Sequence, residues 1–201
     1  MGGIGGVIRD SYGNWVIGFI KIIYAYSPVM AGLQALHTGL TLALEKQTLP
    51  IEVEIDSTEV IELFQYAHPN FQSTIESCMS LLKKLGNPVV HHNFRQGNRL
   101  ADFLAKEGSI LSMNNNSPIL AATPADARSI LQADKDGVAI TRRMSLATCS
   151  KLSMLGNLNV LFDVSSSDAN IIAHRAPNII ATDSNANIVC TLLLIIFILN
   201  K

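Results

Sequence analysis

The sequence predicts a mixed α/β domain followed by an irregular C-terminal extension. Two strand-like runs joined by turn residues open the chain, and a long amphipathic helix follows them. Farther along, a strand-like run twice gives way directly to a helical pattern, at Asp56 and near Gly97. Strands that alternate with helices are typical of a sheet covered by helices.

Length and composition restrict the possible functions. The 201 residues can form one domain with a full core, or a small domain plus an extension. A formal net charge of −1 and a pI near 6.5 argue against a broadly basic nucleic-acid-binding protein, so any such contact needs a local basic cluster. The three cysteines lack metal-ligand spacing, which predicts a reducing compartment and no zinc. No signal-peptide pattern opens the chain, so we expect an intracellular location, in the nucleus or the cytoplasm.

The first predicted element is a β-hairpin. Gly2–Arg9 and Trp15–Ile23 have the residues of strands, and Asp10–Asn14 between them has those of a tight turn. A glycine-rich segment can also bind phosphate, but such a loop follows a strand and opens a helix. The opening glycines therefore predict a strand.

A helix, a strand and a second helix are predicted next. Ser27 and the proline after it are typical of a helix start, and leucines recur at helical spacing along Pro28–Glu45. Pro50–Asp56 alternates apolar and acidic residues, as in a half-buried strand. Thr58–Ala67 then has a helical pattern, and capping this helix is the simplest role for Asp56, with the following serine as the alternative cap.

A third helix is predicted over Phe71–Leu85, with apolar residues on one side. Lys83 and Lys84 lie at its end, where cations interact favourably with the helix dipole. A nucleic-acid contact is the alternative for these two lysines.

The stretch Val89–Lys106 is the most informative. β-branched residues predict a strand, Gln96 and Gly97 break it, and Asn98 is positioned to cap a new helix with its side chain. Asp102 lies in the first turn of that helix and off its apolar stripe. Its carboxylate could hold a metal ion in a cleft, or interact only with the helix dipole or solvent.

This stretch carries a family pattern at the positions His92, Phe94, Arg95, Asn98, Ala101, Asp102, Leu104, Ala105 and Lys106. It resembles the last strand and last helix of type 1 ribonuclease H, as found in plant proteins derived from non-LTR retroelements. The similarity extends back to Gly2 and, more loosely, forward to about Arg143. It implies a ribonuclease H-like sheet flanked by helices in residues 1–110, a linker and family-type tail in 111–143, and an unassigned extension in 144–201.

The resemblance implies an endonuclease that hydrolyses RNA in RNA/DNA hybrids. Two divalent ions about 4 Å apart activate water and stabilise the leaving oxygen in such a site, and roughly four carboxylates would neutralise them. Mg²⁺ is the expected cofactor, with Mn²⁺ as a substitute. Asp56 and Asp102 match two of the metal-binding carboxylates, and His92 matches the histidine that moves protons.

Nucleic-acid contacts are expected from the same stretch. Arg95, Asn98 and Arg99 are the candidates, because guanidinium groups pair well with phosphates. Ion pairs with Asp102 or Glu107 are the alternative for the two arginines. The sequence leaves the oligomeric state open.

Two departures from the family pattern stand out. The helix that matches Pro28–Glu45 opens with A-E-x-x-A in the family, and its Glu binds metal, whereas this chain has Gly32 there. The family also has a central strand before the hairpin, ending in Asp-Gly-Ser with the first catalytic carboxylate, and this sequence begins after it. Losing that strand exposes two rows of backbone groups, so another segment fills the gap, the domain is unstable, or the gene model is truncated.

These departures give two expectations for function. The first is a nuclease of this type with impaired cleavage. The second is a catalytically dead remnant that binds nucleic acid or a protein partner.

The extension ends in an apolar run of twelve residues, Ile188–Leu199. A membrane-spanning helix needs about 20 residues, so a span is not expected. A strand, a buried segment and a translated tail without function are the alternatives, with a tail anchor as a further one. Before the extension, Met113–Pro118 has the composition of a linker, and Ala127–Ala133 has that of a short helix.

Overall fold

A computed structural model of the chain describes residues 2–66, 68–93, 95, 97–111, 118–138, 140–143, 160–163, 170–173 and 190–198. In chain order the strands and helices are β1 (Gly2–Arg9), β2 (Trp15–Ile23), α1 (Pro28–Glu45), β3 (Ile51–Ile55), α2 (Thr58–Leu63), α3 (Gln72–Lys84), β4 (Val90–His92), α4 (Arg99–Ile110), β5 (Ile119–Leu120), α5 (Arg128–Lys135), β6 (Ile140–Arg143), β7 (Val160–Asp163), β8 (Asn170–Ala173) and β9 (Cys190–Ile198). The α/β class and the order of elements in residues 2–110 are as the sequence predicts.

Local signals explain where the first elements begin and end. The carboxylate of Asp10 accepts hydrogen bonds from the backbone of Tyr12 and Asn14 at 2.9 and 2.8 Å, which closes the hairpin turn. Ser27 caps α1 by accepting a hydrogen bond from the backbone amide of Met30 at 3.2 Å. α2 ends four residues earlier than predicted, before a short 3-10 turn that begins with a proline. At the end of α2 the backbone changes to i to i−3 hydrogen bonds, from the Phe64 amide to the Ile61 carbonyl at 3.1 Å and from the Gln65 amide to the Glu62 carbonyl at 2.9 Å.

The main sheet has six strands in the order β4-β3-β9-β1-β2-β5. β3 and β4 run parallel, as predicted for strands joined through helices, and β1 and β2 form the antiparallel hairpin. One core lies between the sheet and the helices α1 and α3, and includes Ile4, Ile8, Leu36, Leu40 and Ile55. A second core lies on the other face against α4 and includes Val7, Ile20, Leu100 and Leu104.

The central position of the sheet is occupied by β9, from the C-terminal extension. β9 pairs antiparallel with β1 and parallel with β3. The gap expected between these two strands is thus filled by another segment, and part of the extension is regular. Two further strands of the extension, β7 and β8, form a three-stranded antiparallel sheet with β6, which precedes the extension.

Residues 118–138 pack against the hairpin. β5 pairs with β2, and the indole nitrogen of Trp15 donates a hydrogen bond to the Leu120 carbonyl at 3.1 Å. Asp134 lies 3.5 Å from the guanidinium of Arg9, and both side chains are buried. The segment that resembles a family tail therefore contacts the domain, while the proposed division at residues 110 and 143 stays a prediction.

Some predicted features fall outside the described residues. Among these are Ala67 at the end of the predicted second helix, Phe94, Gln96, the linker Met113–Pro118 except for its proline, and residues 188, 189 and 199 of the apolar run. Within the described part of the chain, no helix combines the length and apolar character needed to cross a membrane.

The opening glycines let α4 approach β1 closely. A Cβ on Gly3 would lie 2.2 Å from the carbonyl oxygen of Ala105, and one on Gly5 would lie 2.5 Å from the amide nitrogen of that residue. On the helix side, a Cβ on Gly108 would lie 2.8 Å from the Ile4 carbonyl oxygen. The strand and helix backbones therefore leave no room for side chains at these positions.

We predict that Gly5→Ala lowers the free energy of unfolding by about 1–3 kcal/mol, because the added methyl group overlaps helix backbone and forces it to shift. Urea unfolding measures the change. Ser80→Ala, at an exposed position of α3, is the control and should change stability by less than about 0.5 kcal/mol. Equal stability of the Gly5→Ala protein and the parent would contradict the close approach.

Candidate functional site

Asp56 follows β3 directly, beside the point where the parallel strand β4 ends. The hydroxyl of Ser57 caps α2 by accepting a hydrogen bond from the Val60 amide at 3.2 Å. Helix capping, the simplest role for Asp56, is therefore performed by its neighbour. The Asp56 carboxyl is left for other interactions.

Burial dominates the electrostatics of Asp56. It raises the pKa of this carboxyl from 3.8 to about 7, because the charged form loses hydration. The positive charge of Arg95 and a hydrogen bond from the backbone amide of Asp56 oppose this rise, and the negative charge of Asp102 adds to it. Near neutral pH, Asp56 is thus partly protonated, a state in which it binds cations weakly.

Asp102 lies in the first turn of α4 and is paired with two cations. Arg95 donates from Nε to one carboxylate oxygen at 2.9 Å, and Lys106 places its ammonium 2.6 Å from the other. Both carboxylate oxygens of Asp102 therefore have a cationic partner. For Arg95, the structure contains the predicted alternative of an ion pair with Asp102. The lysine was missed as a partner in the sequence, although Asp and Lys at i and i+4 are a recognised helical pair.

The two predicted carboxylates are brought into electrostatic range of each other. Asp102 contributes to the pKa of Asp56, and Arg95 acts on both groups. A cation shared by the two carboxylates stays a prediction.

The residues fit a pair of divalent ions poorly. The described part of the chain contains no group of three or more His, Cys, Asp or Glu side chains that could hold a metal. Gly32 is buried within α1 and has no side chain to offer. Asp102 is already paired with two cations, and burial raises the pKa of Asp56 to about 7, so the negative charge left for a divalent ion near neutral pH is small. Mg²⁺ or Mn²⁺ as a cofactor stays a prediction, and the geometry supports no step through such an ion.

His92 is the last residue of β4 and is only 8% exposed. It pairs in register with Ile55, which places it one position from Asp56 along the neighbouring strand. Its predicted role in proton transfer stays a prediction.

Asn93, which the sequence gave no reason to single out, fastens β4 to β3 beside this site. Its backbone amide donates to the Ile55 carbonyl at 2.9 Å, and its side-chain amide donates to the Glu54 carboxylate at 2.7 Å. Both bonds fix the end of β3 from which Asp56 extends.

The predicted side-chain cap at Asn98 is wrong. Helix α4 begins after this residue as expected, but the Asn98 side chain makes no capping hydrogen bond. Its backbone has φ −112° and ψ 36°, outside the extended region that capping residues usually take. The side chain is fully buried, so the predicted nucleic-acid contact would require it to be uncovered.

Three cations lie on the surface around the start and first turns of α4. Arg95 and Lys106 are 47% and 53% exposed even while paired with Asp102, and Arg99 is exposed. We call Arg95, Arg99 and Lys106 the α4 cationic cluster. A local basic cluster is what the sequence analysis requires of any nucleic-acid contact by this nearly neutral chain, and such a contact stays a prediction.

Comparison with known proteins identifies the family. A family model described as reverse transcriptase-like matches residues 1–108. The chain belongs to this family of ribonuclease H-like domains. The Arabidopsis thaliana protein named "Putative ribonuclease H protein At1g65750" is 33% identical over 146 residues, which cover 71% of this chain and 23% of that protein. The chain thus spans about a quarter of the length of that relative. No solved structure matches the chain.

The raised pKa of Asp56 predicts a pH dependence of stability. The unfolded chain releases this proton near pH 4 and the folded chain near pH 7, so the folded state binds more protons in between. In metal-free buffer, the free energy of unfolding should therefore fall from about pH 4 to about pH 7, by at most about 4 kcal/mol, and then level off.

Urea unfolding at a series of pH values measures this slope. Asp56→Asn should flatten it, because the amide does not titrate. Asp126→Asn, at an exposed position, is the matched control and should keep the slope of the parent. A slope that survives Asp56→Asn would show that another group causes it.

Proposed function

We propose that this chain is a ribonuclease H-type domain that binds RNA/DNA hybrids and has impaired cleavage. Family membership supports the fold and the class of nucleic acid. The pairing of Asp102 with Arg95 and Lys106 is the observation that carries the loss of cleavage. Metal-assisted hydrolysis needs several unpaired carboxylates. Of the two carboxylates in this site, Asp102 is neutralised by two cations.

The same ion pairs support binding. A phosphate can replace the Asp102 carboxylate as the partner of Arg95 and Lys106, since guanidinium and ammonium groups bind both kinds of anion. Both side chains are about half exposed, so the phosphate needs no rearrangement of the core to reach them. Arg99 adds a third cation on the same helix. Contacts to phosphate position a nucleic acid without reading its sequence.

Residual metal-dependent cleavage is the second candidate. The observation in its favour is that Asp56 and Asp102 still lie within electrostatic range, as a shared cation requires. A bound divalent ion would favour the charged form of Asp56. It would also have to displace Arg95 or Lys106 from Asp102, which makes this candidate weaker than binding without cleavage.

An intracellular location is part of the proposal, because hybrids arise there.

The test combines cleavage and binding of a labelled RNA/DNA hybrid. With Mg²⁺ or Mn²⁺, we expect no cutting by the purified chain. Gly32→Glu alone should not restore it, because Asp102 would still be paired with Arg95 and Lys106. Metal-dependent cutting by the parent that Asp56→Asn abolishes would overturn the proposal.

Binding is measured by fluorescence anisotropy at several salt concentrations. Arg95→Ala and Lys106→Ala should each weaken binding and lower the salt slope by about 1, as expected for one lost phosphate contact. Lys46→Ala, at the far end of α1, is the control and should leave affinity unchanged. Equal affinity of all three variants would remove the α4 cationic cluster from the interface.

A further inference from the structure

We propose that a cleft between the start of α1 and helix α2 binds the lysine side chain of a protein partner. The cleft has a volume of about 330 Å³ and is lined by Glu59, Glu62, Tyr66, His68 and Phe71 together with two aliphatic side chains. We call it the acidic–aromatic cleft. It shares no residue with the α4 cationic cluster or with the pair of carboxylates in the candidate site, so the proposal does not depend on hybrid binding or on the loss of cleavage.

The negative charge of the cleft comes from one helix face. Glu59 and Glu62 are three residues apart in α2, a spacing that places two side chains on the same face. Both are exposed, and among the described residues neither carboxylate has a hydrogen-bond or ion-pair partner. Like charges at this spacing repel each other, and a cation bound beside both removes the repulsion. This wall of the cleft is therefore suited to a positively charged group.

The aromatic part of the cleft is held in place by its neighbours. The centroid of the Phe71 ring lies 5.0 Å from that of His68, and 6.4 Å from that of Tyr26, with which it stacks. Phe71 also packs against the larger core. Aromatic faces attract cations, and apolar walls accept the alkyl stem of a long cationic side chain. Rings and carboxylates together thus match a cation on an apolar stem.

One polar atom of the lining also lacks a partner. Nδ1 of His68 is buried, and it has no hydrogen-bond partner in the described part of the chain. Buried polar atoms are seldom left in this state. An ammonium group carries three donors and accepts none, so it can serve this nitrogen as well as a carboxylate. A ligand with hydrogen-bond donors is therefore favoured over an apolar one.

Size and surroundings favour a lysine carried by a protein. Pockets for small molecules hold about 300–1,000 Å³, and this cleft lies at the lower end, which suits one side chain with a compact charged group. The tyrosines near it extend the apolar surface outward, since Tyr66 and Tyr26 are 70% and 73% exposed. Tyrosine is enriched at protein interfaces. Residues that flank the lysine in a partner have rings to pack against, whereas a free amine has no use for them.

The test uses a pentapeptide with lysine at its centre, leucine on either side and blocked ends. Nuclear magnetic resonance of the isotopically labelled full chain follows its binding, because one side chain binds weakly. Amide signals of Glu59–Tyr66 and Phe71 should shift. The same peptide with acetyl-lysine has a similar stem without the charge, and we expect it to bind at least about tenfold more weakly. Spermidine, a free amine, should also bind more weakly than the lysine peptide.

Variants assign the binding to the cleft. Glu59→Gln combined with Glu62→Gln should weaken binding of the lysine peptide by about tenfold, and Tyr66→Ala should weaken it as well. Glu45→Gln is the matched control, because this exposed carboxylate lies 16 residues from the cleft residue Val29, or about 24 Å along α1. It should leave the affinity unchanged. Lys106→Ala should also leave it unchanged, although this variant weakens hybrid binding in the proposed function.

Several results would overturn the proposal. Equal binding of the acetyl-lysine peptide would show that charge is not recognised, and tighter binding of spermidine would identify a free amine as the ligand. Shifts of the cleft signals on raising the protein concentration alone would identify a second copy of the chain as the occupant. An unshifted spectrum with the lysine peptide, or equal affinity of the double glutamine variant and the parent, would show that the cleft does not bind lysine. The amide spectrum of each variant also reports whether it is folded.

Discussion

The structure depends on the pairing of backbone groups between β1 and β3. Each of these strands presents a row of amides and carbonyls toward the other, and β9 satisfies both rows at once. The helices depend on the same strand, since α1 and α4 cover it from opposite faces. Asp56 in turn owes its position to the end of β3. The sheet, its two cores and the candidate site therefore share one structural requirement.

That requirement explains how the fold and the chemistry can separate. Any extended, apolar segment of suitable length can pair with two neighbouring strands, but metal-assisted hydrolysis needs carboxylates at a few fixed positions. The chain meets the first demand with β9, whereas Gly32 has no side chain with which to meet the second. Arg95 and Lys106 lower the negative charge of the site further, because both are paired with Asp102. In the proposed function the same two cations bind phosphate.

Local patterns in the sequence were sufficient for much of this architecture. Turn residues predicted the hairpin, and Ser27 with its following proline predicted the start of α1. The site shared by Asp56 and Asp102 stays a prediction. The place of β9 was not predictable, because a central strand from the far end of the chain depends on long-range pairing that no local signal encodes. The inward side chain of Asn98 was also missed, because a local capping pattern does not show which side chains the tertiary structure buries.

Nuclear Overhauser effects across the central sheet test this account most directly. In the isotopically labelled full chain, the account predicts backbone contacts of Val7 with Leu193 and of Val53 with Leu192, at the registers of β9 with β1 and β3. Direct contacts between the backbones of β1 and β3, with none to β9, would contradict it. In that case the sheet would close without the C-terminal strand.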